Sequence, residues 1–221
     1  MDKFALIGYP IKDSLSPLLF KAAYHGKYNY DLIEYPEFDI CFSIFKEKGY
    51  RAINVTAPFK TQAIKVADIL SEECLECGAA NILLKTEKGI KAFNSDFLAL
   101  KKLLTGSKGV LVIGGGGAGK AALAAAHSIG ITPLLLHHDE LQGRNIEADT
   151  IVCTLPHYAP GIENIHCNTL IEANYKTPSC NSLKNVKNYI PGTTWLKEQA
   201  ILGYELMCNE RPDGDAILKS I

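Results

Sequence analysis

The chain has 221 residues, 47% of them hydrophobic, and 23 Lys and Arg stand against 24 Asp and Glu for a formal net charge of −1. Such a length holds one large or two small domains with a real core, and the charge balance excludes an electrostatic footprint for nucleic acid or an acidic membrane surface. No run approaches the roughly 18 apolar residues of a membrane span, and "MDKFALIGYP" lacks the basic-then-apolar order of a signal peptide.

The seven cysteines are an odd number in mostly apolar surroundings, and Cys74 and Cys77 form a C-x-x-C-like pair with no second pair at zinc spacing. That usage fits reduced thiols, a cytoplasmic location and no metal.

In chain order, "KFALIGYP" reads as a strand, and "SPLLFKAAYHGKY" as a helix with Ser16 as N-cap and Pro17 in its first turn. "YDLIEYPE" is the next strand, "FDICFSIFKEKG" a helix closed by Gly49, and "YRAINVTAPFK" a strand running into a loop. "QAIKVADILSEECLECG" reads as one helix, and "AANILLKTEKGIKAFNSD" as a hairpin turning at "TEKG". Strand and helix thus alternate over the first hundred residues, which predicts an α/β layer with a mixed, mostly parallel sheet.

A second α/β unit begins near Lys108, with "GVLVIGGGG" a buried strand and "GKAALAAAHSIG" a helix. "TPLLLHH", "DTIVCTLP" and "HCNTLIEANY" follow as strands, with too little chain between the first two for the usual crossover helix. "TTWLKEQAILGYELMCNE" is an amphipathic helix.

The glycine cluster carries the first chemical signal. Gly119 and Lys120 complete G-x-x-x-x-G-K, but Ala121 stands where an ATP-binding loop needs a hydroxyl for Mg²⁺. Gly114, Gly116 and Gly119 fit G-x-G-x-x-G between a strand and a helix, the setting of a dinucleotide turn. Alone, the motif leaves a pyrophosphate site and a ligand-free turn both open.

Four short motifs in the first half add to it. Ser14 and Ser16 in "SLSP" sit two apart at a strand-to-helix turn and can hold a small carboxylate, although capping alone accounts for Ser16. Asn54, Thr56 and Lys60 in "NVTAPFK" follow a strand, and "NSD" (94–96) ends another just before a helix. With "AAN" (79–81), "GGGGA" and the late "EQA" (198–200), these resemble in order and spacing the motifs of the shikimate dehydrogenase family: S-x-S-P, N-V-T-x-P-x-K, A-x-N, N-[ST]-D, G-x-G-G-A and a helical Q-A.

The resemblance implies a two-domain α/β enzyme. Residues 1–100, joined by the C-terminal segment 192–221, would form the substrate domain, and residues 101–191 a reduced Rossmann-type dinucleotide-binding domain. Lys60 and Asp96 would be the catalytic pair, and Ser14 and Ser16 would bind the substrate carboxylate. Thr56, Asn81 and Gln199 would contact ring hydroxyls, and Tyr175 in "EANYKTP" would lie near the carboxylate. Gly114, Gly115, Gly116, Gly117, Ala118 and Thr154 would line the cofactor turn. The implied reaction is reversible reduction of 3-dehydroshikimate to shikimate by NADPH in aromatic amino-acid synthesis, in a monomer or homodimer.

The chain departs from the family on the cofactor side. Where NADP-using members carry N-R-[ST], it reads "LLLHHDE". His137 and His138 offer donors to a 2′-phosphate, while Asp139 or Glu140 offers acceptors to a ribose diol, so NADP is expected with NAD as the alternative. Thr194 and Trp195 replace a glycine–methionine pair, and "VCTLPHY" replaces N-A-T-S-x-G. Two other readings therefore stand beside the first: an NAD-using quinate-type dehydrogenase, and a shikimate-binding protein that has lost hydride transfer.

Overall fold

The structure, a computed structural model, describes residues 2–221. The chain divides into two compact units, one comprising the residues up to Ser95 with Lys197–Ile221, the other Asp96–Leu196.

Unit 1 is built on strands β1 (Lys3–Gly8), β2 (Asn29–Glu34), β3 (Tyr50–Val55), β4 (Ile69–Leu70), β5 (Ile82–Thr86) and β6 (Gly89–Phe93), in sheet order β2-β1-β3-β5-β6-β4. β1 is parallel to β2 and β3, while β5 runs antiparallel to both β3 and β6, the latter through the expected hairpin. The sheet is therefore mixed, as the alternation predicts.

β1 is apolar from Phe4 to Ile7 because both of its faces are covered. Ala5 and Ile7 pack with Phe38, Cys41 and Phe45, which fall at helical spacing along α2 (Phe38–Glu47). On the other face, Phe4 meets Phe20 of α1 (Ser16–Ala23) at 5.2 Å between ring centroids, and Phe20 meets Tyr204 at 4.9 Å.

Two expectations are corrected here. Ser16 is not the N-cap of α1 but its first residue; it is Ser14 Oγ that accepts the Ser16 N–H, at 3.2 Å. The stretch 62–77 is not one helix. It forms α3 (Lys60–Ala63), a 3-10 turn (Ile64–Val66), β4 and α4 (Glu72–Cys77). The break comes at Asp68, whose N–H and carboxylate bond Ile90 of β6, so that sheet pairing overrides a helical pattern.

Unit 2 opens with α5, which spans Ser95–Leu103 across the boundary between the units. Its sheet is wholly parallel, with β7 (Val110–Ile113), β8 (Leu134–Leu136), β9 (Ile146–Cys153), β10 (Ile165–Glu172) and β11 (Val186–Ile190) in the order β11-β10-β9-β7-β8. The alanine-rich α6 (Gly117–Ser128) follows β7. Between β8 and β9 only a 3-10 turn (His138–Glu140) stands in place of a crossover helix.

The motif pattern does not foresee β11, whose residues are half-exposed at the sheet edge. Nor does it foresee α8 (Gly214–Lys219), which follows α7 (Gly192–Cys208) and is capped by Asp213. Among the described residues no helix is long and apolar enough to cross a membrane, and all seven cysteines are buried free thiols.

Phe45 is fully buried against the sheet, so Phe45→Ala should cost about 3–5 kcal/mol, read as a lower urea midpoint. Glu210 accepts from Lys27 and the Tyr28 hydroxyl, each at 2.6 Å, and these bonds hold its carboxyl below the ordinary glutamate range. A carboxyl pKa depressed by folding contributes stability above its unfolded value, and that contribution is lost as pH falls through the folded one. The stability difference between native protein and Glu210→Gln should therefore be small but measurable at neutral pH and vanish on acidification.

Candidate active site

In unit 1 the candidate residues gather at the carboxyl ends of β1 and β3 and at the amino end of the antiparallel β5. Thr56 N–H donates to Ile7 O at 2.9 Å and Tyr9 N–H to Ala57 O at 3.1 Å, so the turns after β1 and β3 are laced together. Gly8 is required at this crossing, because a Cβ there would lie 2.4 Å from Thr56 Cγ2. Beyond it, Ser14 Oγ donates to Ser16 Oγ at 3.2 Å, and Ser16 O accepts from the Tyr204 hydroxyl at 3.1 Å. The two half-exposed hydroxyls stand at the start of α1, where partial positive charge favours an anion.

Lys60 opens α3 directly after the buried Phe59, and its carbonyl accepts the Ala80 N–H at 2.9 Å, which joins the "NVTAPFK" loop to "AAN". Asn81 is buried; its carbonyl takes the Val55 N–H at 2.8 Å and its N–H goes to Phe93 O at 3.0 Å. Its side-chain Nδ2 donates to Gln199 Oε1 of α7 at 3.4 Å, across 118 positions of sequence. Thr56, Lys60 and Gln199 are each partly exposed.

In unit 2 the order of the sheet reverses between β7 and β9, and a ligand crevice lies beyond the carboxyl ends of strands at such a switch. Gly114 (φ +100°) ends β7, and Thr154 ends β9. Thr154 Oγ1 donates to the carbonyls of Ile113 and Gly114 at 3.0 and 3.1 Å. A Cβ at Gly119 would fall 1.9 Å from Gly114 O, so only glycine permits this closeness of turn and helix.

Gly115 and Gly116 are exposed, and a Cβ at Gly116 would meet nothing within 4 Å. Gly116 caps α6 without a side-chain bond, which leaves the first helical N–H groups, from Gly117 and Ala118 onward, to an outside acceptor. These features fit a dinucleotide pyrophosphate. Lys120 is an ordinary exposed helix residue.

His137 lies against the turn, its Cε1 3.0 Å from where a Gly115 Cβ would stand, and its N–H donates to Glu140 Oε2 at 2.7 Å. His138 is exposed in the 3-10 turn. Arg144, which the motif reading passes over, places a guanidinium nitrogen 4.0 Å from Glu140 Oε1.

Asp96 lies in the first turn of α5, and Lys60 and Asp96 fall in different units. Tyr175 is in the loop after β10, which is clamped at both flanks. Asn174 Nδ2 donates to Pro156 O at 2.9 Å, and the fully buried Glu172 accepts from Ser179 N–H at 2.7 Å and the Tyr189 hydroxyl at 2.5 Å. Burial, and then the bond to Glu172, push the Tyr189 phenol well above its usual range. These supports give no motif, because they are single residues whose partners lie elsewhere in the chain. The Trp195 indole is buried, and its Nε1 has no hydrogen-bond partner.

Fold and site define an α/β protein with a serine- and amide-lined polar site in one unit and a Rossmann-type glycine turn in the other. Residues 6–83 match the family described as the shikimate dehydrogenase substrate binding domain, which bears out the motif resemblance over that segment. A curated relative named shikimate dehydrogenase (NADP(+)), from Coxiella burnetii, is 38% identical over 136 residues, covering 56% of this chain and 50% of the relative. The chain thus spans about half the length of the Coxiella relative in that match. A relative of the same name from Alteromonas mediterranea is 26% identical over 268 aligned positions, covering 100% of this chain and 96% of its own. The crystal structure of shikimate dehydrogenase 1 from Peptoclostridium difficile superposes with a TM-score of 0.81 at 26% identity, covering 98% of this chain and 95% of that one.

Gly119→Ala should raise the Kd for NADPH by tenfold or more in a fluorescence titration, as roughly 1.4 kcal/mol of lost fit gives that ratio, while unit 1 keeps its stability.

Proposed function

We propose that the chain catalyses the reversible reduction of 3-dehydroshikimate to shikimate with NADPH. The observation that carries this reading is the convergence of "NVTAPFK", "AAN" and the late "EQA" in one unit, through the Lys60–Ala80 and Asn81–Gln199 bonds.

In this reading, the Ser14 and Ser16 hydroxyls donate to the substrate carboxylate, while Thr56, Asn81 and Gln199 hold the ring hydroxyls. The motif resemblance adds Tyr175 to the residues implied for the carboxylate. Lys60 Nζ gives its proton to the carbonyl oxygen as the carbon becomes a carbinol. Asp96, the other member of the pair that the resemblance implies, accepts a hydrogen bond from the adjacent hydroxyl. NADPH supplies the hydride when bound. Gly114 to Gly117, Ala118 and Thr154 hold its pyrophosphate.

NADPH is favoured over NADH by the state of Glu140. Its carboxylate is already engaged by the His137 N–H and Arg144, which leaves it a poor acceptor for a 2′-hydroxyl. The His137 and His138 imidazoles and the Arg144 guanidinium are donors suited to a 2′-phosphate. The relatives' name, shikimate dehydrogenase (NADP(+)), supports the same choice.

The test is nicotinamide absorbance with shikimate or quinate and NADP⁺ or NAD⁺ in all four combinations. Turnover fastest with shikimate and NADP⁺ is expected, and Lys60→Ala should lower kcat by about 10²- to 10⁴-fold. Calorimetric binding of shikimate without turnover in any combination would instead establish a binding protein.

A further inference from the structure

We propose that Ser95 is a positioning residue that fixes which end of the Gln199 amide meets the substrate, an inference that rests on the function proposed above. Ser95 is fully buried at the start of α5. Its backbone N–H donates to Asn81 Oδ1 at 2.8 Å. A backbone N–H can only donate, so this contact determines which way the Asn81 amide is turned.

Asn81 Nδ2 is then the end that faces Ser95 Oγ at 3.0 Å and Gln199 Oε1 at 3.4 Å. Since Ser95 Oγ accepts from Asn81, its own proton is directed to Gln199 Oε1 at 3.0 Å; the other acceptor in reach, Asn81 Oδ1, is farther at 3.4 Å. The Gln199 oxygen thus receives donors from both Ser95 and Asn81. What Gln199 turns away from this cluster is its NH2 end, and it meets a ring hydroxyl as a donor to that oxygen.

The close approach of α7 keeps this arrangement in register. Gly203, four residues after Gln199 and on the same helical face, would place a Cβ 2.8 Å from Ser95 Oγ, so no larger residue lets the helix come so near. Ser95 therefore sets the polarity of a substrate contact 104 positions away in two ways, its N–H by turning the Asn81 amide and its hydroxyl by donating to the Gln199 oxygen.

The test compares Ser95→Ala, Ser95→Thr, Gln199→Glu and Gln199→Ala by calorimetric shikimate titration and steady-state kinetics. Ser95→Ala should raise Kd and KM for shikimate about tenfold with kcat changed by less than about threefold, and Ser95→Thr, which keeps the hydroxyl, should restore binding. Gln199→Glu keeps an acceptor for Ser95 but loses the donor, so it should bind no better than Gln199→Ala. Native-like shikimate affinity in Ser95→Ala or in Gln199→Glu would overturn the proposal, and the Gln199 pair decides it should Ser95→Ala not fold. Side-chain amide NMR gives a readout that needs no ligand. Faster solvent exchange of the Asn81 NH2 protons, which donate to Ser95 Oγ, is expected in Ser95→Ala but not in Ser95→Thr. Unchanged exchange in Ser95→Ala would refute the proposal even if the native chain bound no shikimate, an outcome that by itself would sink only the proposed function.

Discussion

The buried Asn81 is the constraint on which unit 1 depends. Its carbonyl receives the end of β3, its N–H the end of β6, and its side chain the start of α5 and a glutamine of α7. Four segments thus end within hydrogen-bond reach of one residue. An unmet donor or acceptor here would cost about 1–3 kcal/mol apiece in a buried setting, so the segments are held to a single arrangement. The residues proposed to bind the substrate are thus also the residues that close the fold.

Unit 2 meets a different demand by a different means. It leaves bare backbone N–H groups at the start of α6, and it does so by removing side chains rather than adding them. Gly119 against Gly114 O allows a contact no Cβ would survive, while Thr154 Oγ1 occupies the carbonyls at the back of the turn. The lost crossover helix between β8 and β9 leaves this arrangement untouched, since β7, β8 and β9 pair in the full parallel order without it. The apolar face that a helix would cover is instead filled by Leu141, Leu155, Ala159 and Ile162 from loops.

Much of this was legible in the residues themselves. The strands of unit 1 other than β4, the hairpin and the glycine turn are local patterns of apolar period and turn residues, and the structure keeps them. The single helix expected over 62–77 was not kept, because the Asp68–Ile90 pairing is a contact across 22 positions that no local period reveals. Ser16 is not the cap of the first helix for a similar reason: the strand-to-helix turn sets where the helix starts, so that Leu15 takes the N-cap position and Ser14 Oγ accepts the Ser16 N–H. β11 was missed because an exposed edge strand carries too few apolar residues to show a period.

The sequence by itself determined the family resemblance, the alternation of strand and helix, and the identity of the polar residues at the site, since motif order and residue chemistry are written directly in the chain. Only the tertiary structure decided how those residues are oriented. It showed that Glu140 is engaged by a neighbouring N–H and Arg144, that Glu172 and Asn174 clamp the loop carrying Tyr175, and that the Gln199 oxygen accepts from Ser95. Orientation depends on hydrogen bonds between residues distant in sequence. Such bonds exist only once the chain has brought donor and acceptor within about 3 Å of each other.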